Sequence, residues 1–127
     1  MKARSYRDLL IWQQSMALAS TVYAVTRSFP REELFGLSAQ LRRAAVSIPS
    51  NIAEGHGRGS DKHFCLFLMQ ARGSLFEVET QLDIAANLGY LTPEAASEIR
   101  RSTQEIARRT NALLRTIRTG EPTKRRQ

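Results

Sequence analysis

The stretch of sequence that decides the fold runs from residue 64 to residue 85 and reads FCLFLMQARGSLFEVETQLDIA. Its apolar residues recur at alternating intervals of four and three positions, at Phe64, Leu68, Ala71, Leu75, Val78, Leu82 and Ala85. Such intervals place side chains on one face of an α-helix, as in the seams of helix bundles. The stretch therefore predicts a long amphipathic helix that packs against other helices.

Turn signals on either side of this stretch divide the chain into four segments. They lie at residues 29–30, 55–60, 87–93 and 120–122, and each contains glycine or proline. A helix of about 20 to 28 residues, the length of these segments, would be roughly 30–40 Å long. Ser60 and Thr92 are suitable N-caps, and Gly89 and Gly120 are suitable helix-ending residues. Similar lengths and short connections favour antiparallel neighbours.

The other three segments also show helical spacing. In the first, the stripe consists of Leu9, Trp12, Met16, Ala19, Tyr23 and Thr26. In the second, it consists of Leu34, Leu37, Leu41, Ala44, Ile48 and Ile52. In the fourth, it consists of Ile99, Thr103, Ile106, Thr110, Leu113 and Ile117. The sequence therefore predicts an all-α, antiparallel, up-and-down four-helix bundle over residues 1–119, followed by a basic tail over residues 120–127.

Composition narrows the class of protein further. The chain has 127 residues, which suits one domain, and 42% of them are hydrophobic. Cys65 is its only cysteine, and small secreted domains usually depend on disulfides, so we expect a cytoplasmic protein. The N-terminus has no signal-peptide pattern and no apolar run is long enough for a membrane span, so we expect no membrane partner.

A second apolar stripe follows another face of the third segment. It consists of Leu66, Met69, Gly73, Phe76 and Ile84. A helix that is apolar on two faces is buried on two sides, and within a single four-helix bundle one of those sides has no partner. The stripe therefore predicts an oligomer interface between copies of the chain. The alternative is a more central helix, whose second stripe is covered by its own chain.

The end of the second segment carries the most unusual local motif. We single out Arg43, Ser47, Pro49, Asn51, Glu54 and Gly55. Because a proline inside a helix leaves the carbonyl four residues earlier without its N–H partner, we expect a kink at Pro49. The serine and the asparagine can satisfy that carbonyl or bond to another helix, and Glu54 can pair with Arg58 or with a neighbouring helix or subunit. The motif predicts a buried polar network; a ligand or partner contact is the alternative.

Nothing in the sequence predicts catalysis, a metal or a cofactor. His56, His63 and Cys65 lack the spacing of a metal site, and no nucleophile has an evident base and orienting group. The glycine-rich stretch at residues 55–60 follows no strand and lacks the Gly-Lys-Ser/Thr ending of a P-loop, so we interpret it as a helix–helix turn. We therefore predict no catalytic residues and no enzyme.

The last segment offers a candidate nucleic-acid-binding face. The chain has 19 Lys and Arg against 12 Asp and Glu, a net charge of +7, and residues 91–127, with nine basic and four acidic residues, carry +5 of it. Arg101, Arg108, Arg115 and Arg118 share one face with Gln104 and Asn111, and Lys124, Arg125 and Arg126 extend the charge into the tail. Arginine suits phosphate because its planar fork makes paired hydrogen bonds. The alternative is a solvated helix face, since Glu98 and Glu105 flank the stripe at ion-pair spacing.

Several of these residues form a pattern that resembles the 23S rRNA intervening-sequence proteins. The pattern comprises Tyr6-x-Asp8-Leu9, Trp12-Gln13, Phe29-Pro30-x-x-Glu33, Gly36-Leu37, Gln40-Leu41-Arg42-Arg43-Ala44, Ser47-Ile48-Pro49-x-Asn51-Ile52-Ala53-Glu54-Gly55 and Gly73-Ser74-x-x-Glu77. These are bacterial proteins encoded within insertions in large-subunit rRNA genes. The resemblance implies an antiparallel four-helix bundle and a ring-like homopentamer. It also implies kinship with the accessory protein of diversity-generating retroelements, a basic bundle that binds reverse transcriptase and nucleic acid.

Together these patterns favour a non-enzymatic, homo-oligomeric scaffold whose basic surface contacts RNA or DNA without strong sequence preference. The alternative is a protein–protein interaction adaptor or accessory subunit that has no direct contact with nucleic acid.

Overall fold

The computed structural model describes residues 5–119. Four α-helices make up most of this part of the chain: α1 (Leu10–Thr26), α2 (Leu37–Gly57), α3 (Asp61–Asn87) and α4 (Pro93–Thr119). Short 3-10 turns lie at Tyr6–Asp8 and Arg31–Glu33, and no strand occurs between residues 5 and 119. The all-α class predicted from the sequence is confirmed.

The helices form an antiparallel four-helix bundle in which each helix packs against the next and α4 returns to α1. The Arg42 side chain, near the start of α2, donates to Thr26 Oγ1 at the end of α1, at 2.8 Å. Arg72 of α3 donates to Asn111 Oδ1 of α4 at 2.9 Å. Gln14 near the start of α1 donates to Glu105 Oε2 of α4 at 3.2 Å. These contacts define the axial position of each helix relative to its neighbours in the bundle.

Apolar side chains from all four helices fill the interior. The third helix buries the face that its spacing predicts, with Leu68, Leu75, Val78 and Ala85 fully inaccessible to solvent. The face of α4 that contains Ile106 is also turned inward, as its spacing predicts. Burial of such side chains is the main source of stability for a bundle.

The stripe predicted for the first helix is wrong at Met16 and Tyr23, which are exposed, and right at Leu9 and Thr26, which are buried. Trp12 and Ala19 are partly buried against the core. The fully buried face of α1 consists of Ile11, Ser15, Leu18, Val22 and Thr26. This face contains two hydroxyl residues, so the sequence does not mark it as apolar. Burial is tolerated because both hydroxyls donate to backbone carbonyls four residues earlier, Ser15 to Ile11 at 2.6 Å and Thr26 to Val22 at 2.7 Å.

The predicted caps at three helix ends are confirmed. The Ser60 hydroxyl accepts from the His63 N–H at 3.2 Å, and the Thr92 hydroxyl accepts from the Ala95 N–H at 3.1 Å. Gly89 adopts φ +78°, the left-handed conformation that commonly ends a helix. Gly120 lies outside the described residues. The α2 helix continues two residues beyond Gly55 and runs through Pro49 without a break, and the kink stays a prediction.

Candidate functional site

Three arginines on the outer face of α4 have free guanidinium groups. Arg101, Arg108 and Arg115 are exposed, and within residues 5–119 none of them takes part in a hydrogen bond or an ion pair. Their neighbours differ, since Arg100 pairs with Asp83 of α3 and Arg109 pairs with Glu105 at 3.1 Å. Hydrogen bonds from Arg109 and Gln14 are the main cause of the lowered pKa of Glu105, and the Arg108 charge adds a smaller contribution without a hydrogen bond. The N–H donors of the three arginines therefore remain available to an anion.

The fourth predicted arginine, Arg118, contacts its own bundle. It is exposed, but its Nη2 atom lies 3.0 Å from the Met69 sulfur. It also lies close enough to Cys65 to act on the thiol, whose pKa is raised by burial, with the Arg118 charge acting in the opposite direction. Lys124, Arg125 and Arg126 lie outside the described residues.

The basic face of α4 runs beside an exposed apolar face of α3. Arg72 and Asp83 of α3 are bonded to Asn111 and Arg100 of α4 respectively. Phe76 lies between the two α3 residues in sequence and is therefore level with the part of α4 that carries Arg108. Because Phe76 is exposed, an aromatic ring and a free guanidinium occupy the same level of the α3–α4 side of the bundle.

The predicted oligomer interface is mostly uncovered in the single chain. Leu66, Phe76 and Ile84 are between 44% and 52% exposed, and Gly73 has open space where a side chain would stand. Met69 differs, because it is half-buried, packs against the core and contacts Arg118. We call Leu66, Gly73, Phe76 and Ile84 the α3 ridge.

Part of the predicted polar motif lies at the contact between α2 and α3. The Ser47 hydroxyl donates to the Ala44 carbonyl at 2.8 Å and lies 2.5 Å from the Ser74 hydroxyl of α3. The Asn51 amide donates to the Ser47 carbonyl at 2.8 Å. These bonds connect successive turns of α2 around the buried Pro49 and join the helix to α3.

The remaining residues of the motif have separate surroundings. Arg43 is exposed and takes no part in the serine–asparagine bonds. Glu54 pairs with Arg58 at 2.9 Å, one of the two partners considered from sequence, and both side chains are largely solvated. Gly55 is buried against Phe67 of α3, where no side chain would fit. The motif thus joins α2 to α3 through Ser47 and Gly55, while its charged residues, Arg43 and Glu54, face water.

A surface groove between α1 and α2 was not predicted. It has a volume of about 560 Å³ and is lined by apolar residues that include Trp12, Met16, Tyr23, Val46 and Pro49. Met16, Tyr23 and Val46 are between 40% and 45% exposed. One sequence signal points to it: no charged residue occurs between Asp8 and Arg27, although the solvent-facing side of a surface helix is ordinarily charged.

A second feature missed from the sequence is the α1–α2 connection. Phe35 is 93% exposed. Leu34, which the sequence placed in the apolar stripe of the second helix, is also exposed, because α2 begins only at Leu37. The backbone around them is held in place because Glu33 accepts from the Leu37 N–H at 3.0 Å and from the Tyr90 hydroxyl at 2.9 Å. An ordered connection therefore presents a phenylalanine to solvent.

Residues 5–119 contain no group of three or more His, Cys, Asp or Glu side chains arranged to hold a metal ion. In the same part of the chain, none of the helices has the length and apolar character to span a bilayer.

Residues 7–112 match the family model described as 23S rRNA-intervening sequence protein. The chain belongs to this family. The resemblance noted in the sequence is thereby confirmed. A comparison with curated proteins found no match.

The family fold is also seen in a solved structure. A crystal structure from Bacteroides thetaiotaomicron VPI-5482, described as a protein with unknown function from the S23 ribosomal protein family, superposes with a TM-score of 0.75. It is 23% identical in sequence, and the match covers 83% of this chain and 98% of that one. At this identity the similarity establishes the shared fold alone.

Proposed function

We propose that this family member is a self-associating, non-catalytic scaffold whose α4 face binds the phosphate backbone of RNA or DNA. The observation that carries the proposal is the row of three exposed arginines, Arg101, Arg108 and Arg115, which have no ion-pair or hydrogen-bond partner within residues 5–119. A guanidinium without an internal partner keeps its donors available for a phosphate.

The spacing of the arginines suits an extended polyanion better than a single small anion. Steps of seven residues separate Arg101, Arg108 and Arg115 by about 10 Å each along the helix axis. Phosphate contacts of this kind position a nucleic acid but carry no sequence information directly. We therefore expect binding that depends strongly on salt and weakly on base sequence.

The scaffold part of the proposal rests on the α3 ridge. Three of its side chains expose large apolar surfaces on one helix, and a second copy of the chain would remove them from water. The family resemblance implies five copies in a ring, and this number stays a prediction. We also propose a cytoplasmic location, since a reducing compartment suits the unpaired Cys65.

The test is charge reversal at two matched pairs of arginines. The test variant combines Arg108→Glu and Arg115→Glu on α4. The control variant combines Arg31→Glu and Arg43→Glu, at exposed positions outside α4. Both variants change the net charge by the same amount. Fluorescence anisotropy with labelled RNA and DNA should show at least tenfold weaker binding for the α4 variant and a much smaller loss for the control. Equal losses would mean that only the overall charge matters, and unchanged binding would remove the α4 face from the proposal.

A second candidate function, a protein-interaction adaptor, is favoured by Phe35. An ordered, 93% exposed phenylalanine is suited to insertion into a partner's apolar pocket. Co-purification of a partner that survives nuclease treatment but is lost with Phe35→Ser would support this function. Loss of the partner on nuclease treatment would support the nucleic-acid role instead.

A further inference from the structure

We propose that the groove between α1 and α2 receives the α3 ridge of a second copy of this chain. The copies would then join head to tail, each using a different surface toward each neighbour. This inference rests on the self-association proposed above and identifies the surface that the ridge contacts.

The composition of the groove argues that it is covered in the assembled protein. Three partly exposed side chains, Met16, Tyr23 and Val46, stand in its walls. From Leu9 to Thr26 the chain has no charged residue, so the outer face of α1 presents only apolar, small or uncharged polar side chains. Depletion of charged residues with enrichment of aromatic residues and methionine is typical of the buried centre of protein–protein interfaces.

The α3 ridge has the apolar character that this groove would accept. Leu66, Phe76 and Ile84 project from one helix, and Gly73 leaves a low point between the first two. An amphipathic helix that lays its apolar side chains into an apolar groove is a common mode of recognition. The same chain thus carries both an apolar ridge and an apolar groove.

Charge also favours a second copy as the occupant. The groove lining contains no carboxylate and includes Arg27. The ridge is interrupted by Glu77, which has no ion-pair partner within residues 5–119.

The two surfaces can be used at the same time. They share no residue, since the groove is lined by residues of α1 and α2, by Tyr6 before α1 and by Arg27 after it, while the ridge belongs to α3. A chain whose two different surfaces fit each other forms a ring when the rotation between copies closes, and a filament when it does not. In either case the basic face of α4 would lie beside every junction, because it runs alongside the ridge.

A mixing experiment tests the head-to-tail arrangement. Met16→Glu places a charge in the groove, and Phe76→Glu places one on the ridge. In light scattering, each variant alone should fall to the mass of one chain, 14.3 kDa. Mixed in equal amounts, they should form a complex of two chains, because the first keeps its ridge and the second keeps its groove.

Two further variants control for misfolding. Ser20→Arg blocks the groove at an exposed position whose side chain makes no hydrogen bond within residues 5–119, and it should reproduce the effect of Met16→Glu. Ser102→Glu adds the same charge at an exposed α4 position outside both surfaces and should keep the wild-type mass. Circular dichroism should report the same helix content for all four variants.

The outcomes separate this inference from the proposed function. If the ridge variant dissociates while both groove variants keep the wild-type mass, the copies meet ridge to ridge and the groove proposal is wrong. If the wild type stays a single chain at every concentration, self-association fails and this inference fails with it. Loss of nucleic-acid binding in a protein that still assembles would overturn only the nucleic-acid role.

Discussion

Gly55 of α2 and Phe67 of α3 are so close that a Cβ atom at position 55 would lie 2.6 Å from the Phe67 Cβ. The Phe64 ring would also be only 3.3 Å away. The missing side chain therefore lets the second half of α2 approach α3 closely. Close approach increases dispersion contacts between the helices. It also allows the Ser47 hydroxyl of α2 to reach the Ser74 hydroxyl of α3.

Gly55→Ala should destabilise the bundle. Alanine is the better helix former by about 1 kcal/mol, but overpacking a fitted contact costs about 1–3 kcal/mol. The steric cost should prevail because the obstructing Phe67 Cβ is fixed to the backbone. We expect the free energy of unfolding to fall by roughly 1 kcal/mol in urea titrations. Gly57→Ala, in the same helix with open space around it, should not destabilise; equal losses at both positions would contradict the packing argument.

The Ser47 and Ser74 hydroxyls, 2.5 Å apart, should be energetically coupled. Replacing either with alanine should lower the free energy of unfolding by about 1 kcal/mol. The double variant should lose less than the sum of the two, since the shared hydrogen bond can be lost only once. Chemical denaturation of the four proteins in a double-mutant cycle measures this difference. Simple additivity would show that the hydroxyls contribute independently.

Acid should lower the stability of the bundle by protonating Glu33, which links the α1–α2 connection to Tyr90 of the α3–α4 connection. The Leu37 N–H first, and then the Tyr90 hydroxyl, hold the pKa of Glu33 below its ordinary value of 4.5. A depressed pKa in the folded state stabilises the protein above the unfolded-state pKa, and this contribution is lost as the pH falls through the folded-state pKa. Glu33→Gln should therefore flatten the fall in stability below about pH 4.5. Thermal melts between pH 7 and pH 3 would test this, and Tyr90→Phe should have a smaller effect in the same direction.

The salt dependence of nucleic-acid binding should report the individual arginines. For duplex DNA, the slope of log K against log salt changes by roughly 0.9 for each phosphate contact. Arg108→Ala and Arg115→Ala should each make the slope shallower by about that amount, and the double variant by about twice as much. Anisotropy titrations at several salt concentrations provide the slopes. Weaker binding with an unchanged slope would show that these arginines act otherwise than by neutralising phosphates.

The sequence predicted some parts of the site better than others. The arginines of α4 could be found because a charged stripe on a helix is visible in the spacing alone. The groove was missed, although the uncharged stretch between Asp8 and Arg27 is a signal for it. It exists only where α1 and α2 meet, and the core face of α1 contains Ser15 and Thr26, which are not apolar. Their hydroxyls can be buried because they donate to the helix backbone, and the Thr26 hydroxyl also accepts from Arg42. In the sequence, the more apolar Met16 and Tyr23 looked like the core residues.

By itself the sequence determined the number and type of the helices and the inward faces of α3 and α4. Apolar periodicity, caps and turn residues are local properties, and each helix displays them whatever it packs against. Only the tertiary structure decided that Phe76 is level with Arg108, that Gly55 meets Phe67 and that α1 and α2 leave a groove between them. Those relationships depend on the rotation and axial position of each helix against its neighbours, which follow from side-chain packing across the whole bundle.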